Sequence, residues 1–415
     1  MINKYKLNNK FSNASIIGIS GIAFLLLNAR LAKQDAFILG YLIPILFIFI
    51  RDIASGKKKR IQKVITSFLV YLFFIPFEIK FYHSVEPFSF ANQLLFTPYF
   101  IVIAFVSLIS FYGVPIYKLV NYIVFPLKYI FKPFEFLKCE IYAPNLSGPL
   151  LLFYYVLFML LVYYISIKFK PIVMRLLIVY LSFMSAYFLP IGNLITNEVT
   201  FINVGQGDAC LIRKQDTTIL IDTGGNKYSD IATESLIPFL KKKRIYDIDL
   251  VITTHDDYDH SGALTSLKDN FIVKNYIKNA ESFPLKCGGV ELTNYNIYGG
   301  GSDDNMNSLV IGFNLMHTSF LITGDAPIEI ENKIMDDNRY IPCDVLKVGH
   351  HGSNTSTSDT FIKYLKPKEA IISVGKNNSY GHPHKSVLDI LNRYHVTIKR
   401  TDELGTITYS NYIFM

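Results

Sequence analysis

The sequence is poor in charged residues and in cysteine, and each shortage excludes a class of protein. Charged side chains make up 18% of the 415 residues and hydrophobic ones 51%, whereas soluble proteins carry about 25% charged residues. This apolar content excludes an intrinsically disordered chain. Four cysteines are too few for a disulfide-stabilised scaffold, and they form no CxxC pair. The composition therefore indicates a folded protein that is in contact with lipid.

Charge is distributed unevenly along the chain. Residues 1–195 contain 19 Lys and Arg but only 6 Asp and Glu, a net charge of +13. Residues 196–415 contain 22 Lys and Arg and 27 Asp and Glu, a net charge of −5. The overall charge of +8 thus arises in the N-terminal half and is not evidence for a basic nucleic-acid surface on the other half. We predict two domains, 1–195 and 196–415.

The N-terminal half contains five or six long apolar runs separated by short polar loops. Runs of about 18 to 25 apolar residues are long enough to cross a bilayer, and Tyr and Phe crowd their ends, as they do at lipid interfaces. We predict a polytopic α-helical domain in the cell membrane, without a cleavable signal peptide. The clearest runs are 92–116, 147–167 and 171–194, and weaker ones lie near 14–29, 36–50 and 64–79.

One doubtful segment, 118–133, decides on which side of the membrane the C-terminal half lies. It is interrupted by proline and carries Lys128 and Lys132, so it is either a short span or a helix lying in the interface. The basic loop 57–60 favours the cytoplasm, and so do the basic residues of 168–175. Both preferences are met only if 118–133 spans, which places the C-terminal half outside the cytoplasm. If 118–133 does not span, that half is cytoplasmic.

From residue 196 onward, short β-type runs alternate with turns and helical stretches, which predicts a soluble α/β domain. The strongest motif follows the apolar run 249–253 and reads THDDYDH. Four potential metal ligands within six residues can surround two ions about 3.5–4 Å apart. The alternative is a solvated acidic turn that caps the next helix. The four candidate ligands are His255, Asp257, Asp259 and His260.

Later strand ends carry further residues of ligand type, and open α/β sheets place their sites at such ends. Asp325 ends one apolar run, and His350 and His351 follow another. His382 lies in a loop punctuated by Gly and Pro, the usual setting of binding residues. Each residue alone is more often structural, but together they favour a metal centre. His317 lies within a strand-like run, which disfavours it as a ligand.

Eight ordered motifs resemble the metallo-β-lactamase superfamily and, within it, the hydrolase domain of the ComEC family of DNA-internalisation competence proteins. The resemblance implies an αββα sandwich with metals at the edge of two facing sheets. The membrane half resembles part of that family's competence domain more weakly, so the chain resembles a shortened relative. The motifs are VGQGD at 204–208, IDTGG at 221–225, HxDxDH at 255–260, SLV at 308–310, TGD at 323–325, HHGS at 350–353, YGHP at 380–383 and RTD at 400–402.

The resemblance also implies a ligand set. Two divalent ions, Zn²⁺ or Mn²⁺, supply a water nucleophile near neutral pH and stabilise charge in phosphoryl transfer, and a carboxylate-rich set favours the harder ion. The superfamily's second histidine is here Asp257, and its middle histidine is absent, with Asn305 or Asn307 near its place. One ion is implied on His255 and Asp257, the other on Asp259, His260 and His350, and Asp325 bridges them.

The resemblance assigns supporting roles to further residues. Asp222 and Asp208 lie behind the ligands, where Asp222 orients a ligand histidine. The implied role of His351 and His382 is to bind phosphate or to protonate the leaving oxygen, and the alternative is a structural role. Asp259 is also implied to be catalytic. The expected substrate contacts are Ser353, Asn354 and Lys347.

The function predicted from these motifs is a membrane-anchored, metal-dependent phosphodiesterase, namely a nuclease associated with DNA uptake. Its expected partners are DNA, single-stranded during transfer, the lipid bilayer and other DNA-uptake components. One alternative is a phosphoesterase for a small-molecule, wall or lipid-headgroup substrate. Another is a DNA-transport component whose hydrolase domain is only a scaffold, although the intact ligand set argues against it. The sequence shows no aromatic and basic platform for single strands, so it leaves the substrate open.

Overall fold

The chain divides between Leu189 and Pro190 into two compact units. The computed structural model describes residues 13–28, 30, 34–92, 99, 101–103, 139–299, 303–337 and 339–412. The predicted run 92–116 lies mostly outside these residues, and the predicted segment 118–133 lies entirely outside them. The membrane side that depends on 118–133 therefore stays a prediction.

The described part of the first unit is helical apart from one short strand pair. Three of its helices, α3, α4 and α5, are long and apolar enough to cross a membrane, in agreement with the runs predicted near 64–79, 147–167 and 171–194. Pro149 and Pro171 stand in the first turns of α4 and α5, where a missing N–H group costs no hydrogen bond. The elements are α1 (Asn13–Leu27), α2 (Asp35–Ala54), α3 (Lys59–Tyr82), β1 (Ser84–Val85), β2 (Ile141–Tyr142), α4 (Gly148–Ser166) and α5 (Lys170–Phe188).

Aromatic side chains fill the centre of this unit. Phe73 of α3 and Phe158 of α4 are fully buried, with ring centroids 6.2 Å apart. Tyr154 is also fully buried, and its hydroxyl lies 3.1 Å from the hydroxyl of Tyr180 on α5. A buried hydroxyl without a partner is costly in an apolar core, so this pair favours one rotational setting of α4 against α5.

The second unit contains two large β-sheets. The first has six strands in the order β17-β3-β4-β5-β7-β9, and the second has seven in the order β10-β11-β12-β13-β14-β15-β16. A separate pair joins β6 and β8. The strands are β3 (Thr196–Phe201), β4 (Cys210–Lys214), β5 (Thr217–Ile221), β6 (Asp247–Ile248), β7 (Leu250–Ile252), β8 (Ile272–Val273), β9 (Tyr276–Ile277), β10 (Leu285–Cys287), β11 (Val290–Asn294), β12 (Ile311–Leu315), β13 (Thr318–Ile322), β14 (Val345–Lys347), β15 (Glu369–Ile372), β16 (Thr397–Arg400) and β17 (Ile407–Tyr412).

Short helices and single helical turns connect these strands. A π-helical turn, Ala232–Leu236, leads directly into α7, and 3-10 turns span Ala280–Ser282, Asp304–Asn307 and Gly349–Gly352. The helices of this unit are α6 (Ile191–Ile195), α7 (Ile237–Lys242), α8 (Tyr258–Ser261), α9 (Leu264–Asn270), α10 (Ile328–Asp336), α11 (Asp359–Leu365), α12 (Lys385–Arg393) and α13 (Thr401–Leu404).

The two sheets share one apolar core. Phe201 and Ile219 from the first sheet are buried in the same cluster as Phe313 and Phe320 from the second. This is the packing of one sheet face on another, in which inward side chains of both sheets interdigitate.

Helices cover the outer faces of the sheets. Ile330 of α10 and Leu391 of α12 are buried in one cluster with Leu346 of the second sheet. On the first sheet Leu220 is fully buried, as is Leu240 of α7. The predicted αββα sandwich is confirmed.

The polarity of the strands brings the motifs to one edge. Strand β5 runs parallel to β7, and β13 runs parallel to β14. Their carboxyl ends lead into Asp222, His255, Asp325 and His350, respectively. Because parallel neighbours end at the same edge of a sheet, residues far apart in the sequence meet there.

Candidate metal centre

Four side chains form a tight group of potential metal donors at this edge. Their ligand atoms lie within 4.8 Å of one another, and they belong to Asp259, His260, Asp325 and His351. Nε2 of His260 lies 3.1 Å from Oδ1 of Asp325, and Nε2 of His351 lies 3.1 Å from Oδ2 of Asp259. When ligand atoms each lie about 2.0–2.2 Å from one ion, the distances between the ligand atoms themselves resemble those observed in this group. The spacing therefore suits a shared cation.

A second set of donors lies around Oδ2 of Asp325. Nε2 of His255 is 3.4 Å from Oδ2 of Asp257 and 4.0 Å from Oδ2 of Asp325. Nε2 of His350 is 3.7 Å from the same oxygen of Asp325. Oδ1 of Asp325 thus faces His260, whereas Oδ2 lies near His255 and His350 and also 4.0 Å from Nε2 of His351. A carboxylate in this position can bridge two ions.

Asp222 and Thr254 hold the histidines from behind. Nδ1 of His260 lies 2.9 Å from Oδ2 of Asp222. The backbone N–H of Thr254 donates to Oδ1 of Asp222 at 2.7 Å, and the Thr254 hydroxyl lies 3.1 Å from Nδ1 of His255. A hydrogen bond at Nδ1 leaves Nε2 free to bind a metal. Both histidines are therefore oriented with Nε2 toward Asp325.

Asp208 and Lys347 form a buried ion pair beside the donors. The Lys347 ammonium lies 2.6 Å from Oδ2 of Asp208, and both side chains are almost completely buried. Nδ1 of His351 lies 3.4 Å from Oδ1 of Asp208 and 2.9 Å from the carbonyl oxygen of Ser373. Burial by itself raises the pKa of Asp208, but the charges of Lys347 and His351 hold it below its usual range. This buried position does not support the predicted contact of Lys347 with substrate.

The electrostatics of the cluster favour a cation. Burial by itself lowers the pKa of His260, yet the charges of Asp325 and Asp222 raise it well above 6.5. Burial likewise opposes, but does not prevent, a rise in the pKa of His351 to about 10, caused by Asp208 and Asp325. Histidines that hold protons so strongly indicate an excess of negative charge around them.

Unpartnered buried atoms test whether a divalent metal fits. Nε2 of His255, Nε2 of His260 and Oδ1 of Asp325 are buried and make no well-aligned hydrogen bond. Buried polar atoms without partners are rare in folded proteins and need an explanation. All three belong to the donor sets described above, and imidazole and carboxylate are common ligands of Zn²⁺ and Mn²⁺. The residues present therefore fit a divalent metal centre.

The turn after β14 separates the two adjacent histidines. His350 and His351 have φ of +48° and +53°, a left-handed conformation that side-chain-bearing residues seldom adopt and that is strained. His351 points inward and is almost completely buried, whereas the His350 side chain is 29% exposed with Nδ1 3.1 Å from Oγ1 of Thr355. The structure thus brings His351 into the tight donor group, where the sequence had predicted His350.

Other predicted site residues lie at the rim or point away. Ser353 is buried, and its hydroxyl lies 3.0 Å from that of Thr355, whereas Asn354 is exposed. His382 is half-buried with its ring centroid 5.9 Å from that of His350, and burial together with the neighbouring His350 lowers its pKa. His317 stands before β13, at the opposite end of that strand from Asp325. Its position agrees with its exclusion as a ligand.

The chain is similar to known competence proteins. It is 37% identical to ComE operon protein 3 of Bacillus subtilis (strain 168) over 51% of this chain and 33% of that protein. It is 35% identical to Recombination protein 2 of Haemophilus influenzae over 51% of this chain and 28% of that protein. In both cases the chain spans about a third or less of the relative's length. Competence protein ComA of Neisseria gonorrhoeae is 28% identical over 51% of this chain and 32% of that protein. The predicted resemblance is confirmed.

A family model matches part of the C-terminal unit, and a solved structure aligns with about half of the chain. Residues 202–294 match the metallo-β-lactamase superfamily. The metallo-β-lactamase fold protein YhfI from Bacillus subtilis aligns over 52% of this chain and 100% of its own, at 10% identity and a TM-score of 0.37. The C-terminal unit has the metallo-β-lactamase fold, which supports a metal-dependent hydrolase.

Proposed function

We propose that this chain is a membrane-associated, metal-dependent nuclease that cleaves DNA phosphodiester bonds during DNA uptake. The observation that carries the proposal is the position of Asp325 between two sets of donors, with buried Nε2 atoms of His255 and His260 directed toward it. The names of the similar competence proteins support DNA as the substrate. Three apolar helices support a membrane location.

We assign the donors to two ions. His255 and Asp257 would hold the first ion, and His350 lies beside them. Bound divalent ions supply a water nucleophile near neutral pH and stabilise negative charge on phosphoryl oxygens. Four carboxylate and imidazole donors would hold the second ion, and Asp325 is near enough to both donor sets to serve both. These four are Asp259, His260, His351 and Asp325.

The remaining residues orient and complete the centre. Asp222 fixes the ring of His260, and the ion pair of Asp208 with Lys347 supports His351 from the buried side. His382 lies on the open side next to His350, where we place it near the leaving oxygen of the substrate. Hydrolysis consumes one water and leaves a phosphate monoester and a hydroxyl group. A proton must therefore reach the leaving oxygen on this side.

We place the hydrolase domain outside the cytoplasm, on the basis of the charges that flank the apolar runs. Fusion of alkaline phosphatase, which is active only outside the cytoplasm, to residue 415 tests this placement. Active phosphatase supports it. Inactive phosphatase, together with fluorescence of a matched fusion of green fluorescent protein, contradicts it.

The nuclease activity is tested on the full chain in detergent, after removal of metal with a chelator. Mn²⁺ or Zn²⁺ is titrated while cleavage of end-labelled single- and double-stranded DNA is followed beside a small aryl phosphodiester. The control is the Asp257→Ala, Asp259→Ala double variant. We expect metal-dependent DNA cleavage that is lost in the control. Cleavage of the small ester alone contradicts the nuclease and supports a phosphoesterase, and metal binding with neither activity supports a scaffold.

A further inference from the structure

The loop from Gly375 to Lys385, here called the aromatic loop, is seated on the turn that carries the paired histidines. The backbone N–H of His384 donates to the carbonyl oxygen of Gly352 at 2.8 Å. A Cβ atom added to Gly352 would stand 2.7 Å from Cβ of Pro383. Glycine is therefore required for this close approach, and it keeps the aromatic loop next to the donor residues.

Asn378 closes the aromatic loop from within. Its side-chain oxygen accepts the backbone N–H groups of Tyr380 at 3.2 Å and of His382 at 3.1 Å. Its side-chain nitrogen donates to the carbonyl oxygens of Gly375 at 3.2 Å and of His382 at 2.7 Å. One side chain thus makes four bonds across the loop. This bonding fixes the backbone of Tyr380 before any ligand binds.

A series of rings leads from the donor cluster to solvent. The ring of His350 lies 5.9 Å from that of His382. The ring centroid of Tyr380 lies 5.9 Å from that of His382, and the two rings are nearly parallel, with an interplanar angle of 12°. Tyr380 is 69% exposed. It therefore presents an aromatic face to solvent at the end of the series, which begins beside Asp325.

The same loop is basic within an acidic domain. Lys376, His384 and Lys385 are exposed, and the segment from 375 to 385 contains no Asp or Glu. Residues 196–415 as a whole carry a net charge of −5. Because lysines neutralise backbone phosphates and an aromatic face stacks on nucleobases, a fixed loop with both is suited to single-stranded nucleic acid.

We propose that Tyr380 stacks on a nucleobase of single-stranded nucleic acid, while Lys376 and Lys385 contact the adjacent phosphates. This assignment rests on the proposed nuclease function and makes the substrate a single strand. In a duplex the bases already stack on one another, and a protein ring reaches them only after they unstack. Tyr380 is thus a specificity-determining residue that acts through binding.

Binding without cleavage tests the assignment. The full chain in detergent with EDTA is titrated into a fluorescein-labelled 12-mer of thymidylate, a 12-mer in which the bases are replaced by abasic sites, and a 12-base-pair duplex. We expect the wild type to bind thymidylate most tightly. Tyr380→Ala and Tyr380→Leu should raise the Kd for thymidylate about tenfold, the effect of losing one stacked base, and leave the Kd for the abasic strand unchanged.

Matched variants separate stacking from unfolding. Tyr380→Phe keeps the ring and should bind thymidylate like the wild type. Tyr340→Ala removes a tyrosine that is 87% exposed and stands before β14, at the end of that strand opposite His350. It should also bind like the wild type. The Lys376→Gln, Lys385→Gln double variant should lower the slope of log Kd against log salt by about 0.7 for each lysine.

The outcomes distinguish this assignment from the proposed function. If Tyr380→Ala binds thymidylate as tightly as the wild type, or if the wild type binds the abasic strand equally well, the stacking role is wrong. Metal-dependent DNA cleavage by the wild type then leaves the nuclease proposal intact. If the metal-loaded wild type cleaves no DNA and the metal-free wild type binds none, the nuclease proposal itself fails.

Discussion

Oδ2 of Asp222 lies 2.9 Å from Nδ1 of His260, and the two residues come from different strand ends of the first sheet. Asp222 is itself strained, with φ of +61°, and its second oxygen accepts the backbone N–H of Thr254 at 2.7 Å. One carboxylate therefore fixes both the ring of His260 and the loop that carries His255. Precise orientation of these rings depends on a residue that is not itself a proposed ligand.

Asp222→Asn should weaken metal binding about 10- to 100-fold, because loss of the partner of a ligand histidine has an effect of this size. Competition with a chromophoric chelator measures the affinity on the full chain in detergent. Asp216→Asn, in an exposed turn between β4 and β5, is the matched control. An unchanged affinity in Asp222→Asn would show that His260 needs no support.

His351→Ala should remove one bound ion, whereas His350→Ala should retain both ions with weaker binding of one. The reason is geometric, since His351 lies in the tight donor group and His350 lies at the rim. The ratio of metal to protein after gel filtration, by elemental analysis, gives the count. The reverse result, loss of an ion only in His350→Ala, would restore the ligand set predicted from the sequence.

Glu198→Gln should destabilise the hydrolase domain by about 3–5 kcal/mol, the cost of leaving a buried charge without its partner. Glu198 and the Arg213 guanidinium are both buried, with Oε1 3.4 Å from Nε, and the Lys243 ammonium lies 2.7 Å from Oε2. Thermal unfolding of the full chain in detergent reports the loss. The Glu198→Gln, Arg213→Gln double variant should recover part of it, and a double variant whose losses simply add would rule out the pairing.

Asp344 should make stability depend on acidic pH. Hydrogen bonds from Lys368 and Ser319 lower the pKa of this carboxyl from 3.8 to about 2. A pKa depressed by folding stabilises the native state above pH 3.8, and this stabilisation is lost as the pH falls toward 2. Asp344→Asn should therefore lower Tm by about 2 °C at pH 6.

The difference in Tm between wild type and Asp344→Asn should shrink as the pH falls from about 4 toward 2. Asp389→Asn, on the exposed side of α12, should unfold like the wild type at every pH. A Tm difference for Asp344→Asn that stays constant down to about pH 2 would show that the contribution of Asp344 does not depend on its charge.

Local spacing accounts for what could be predicted from the sequence. The apolar run 147–167 is as long as a bilayer requires, so a spanning helix there follows from composition alone. The run 64–79 is shorter, and the structure extends it to the helix Lys59–Tyr82. The spacing HxDxDH keeps His255, Asp257, Asp259 and His260 close together after β7, because all four lie within a span of six residues. The same holds for Asp325, which follows an apolar strand directly.

Tertiary structure decided what depends on contacts between distant segments. Sequence alone does not distinguish His350 from His351, because the turn after β14 places both in left-handed backbone and sends them in different directions. Lys347 resembles any basic residue near a site until the approach of Asp208 buries it. The proposed role of Tyr380 depends on two tertiary contacts: its loop hydrogen-bonds to Gly352, and its ring lies nearly parallel to that of His382. The chain itself fixes which chemical groups are present and their local spacing, whereas strand pairing and strained turns decide which of them meet.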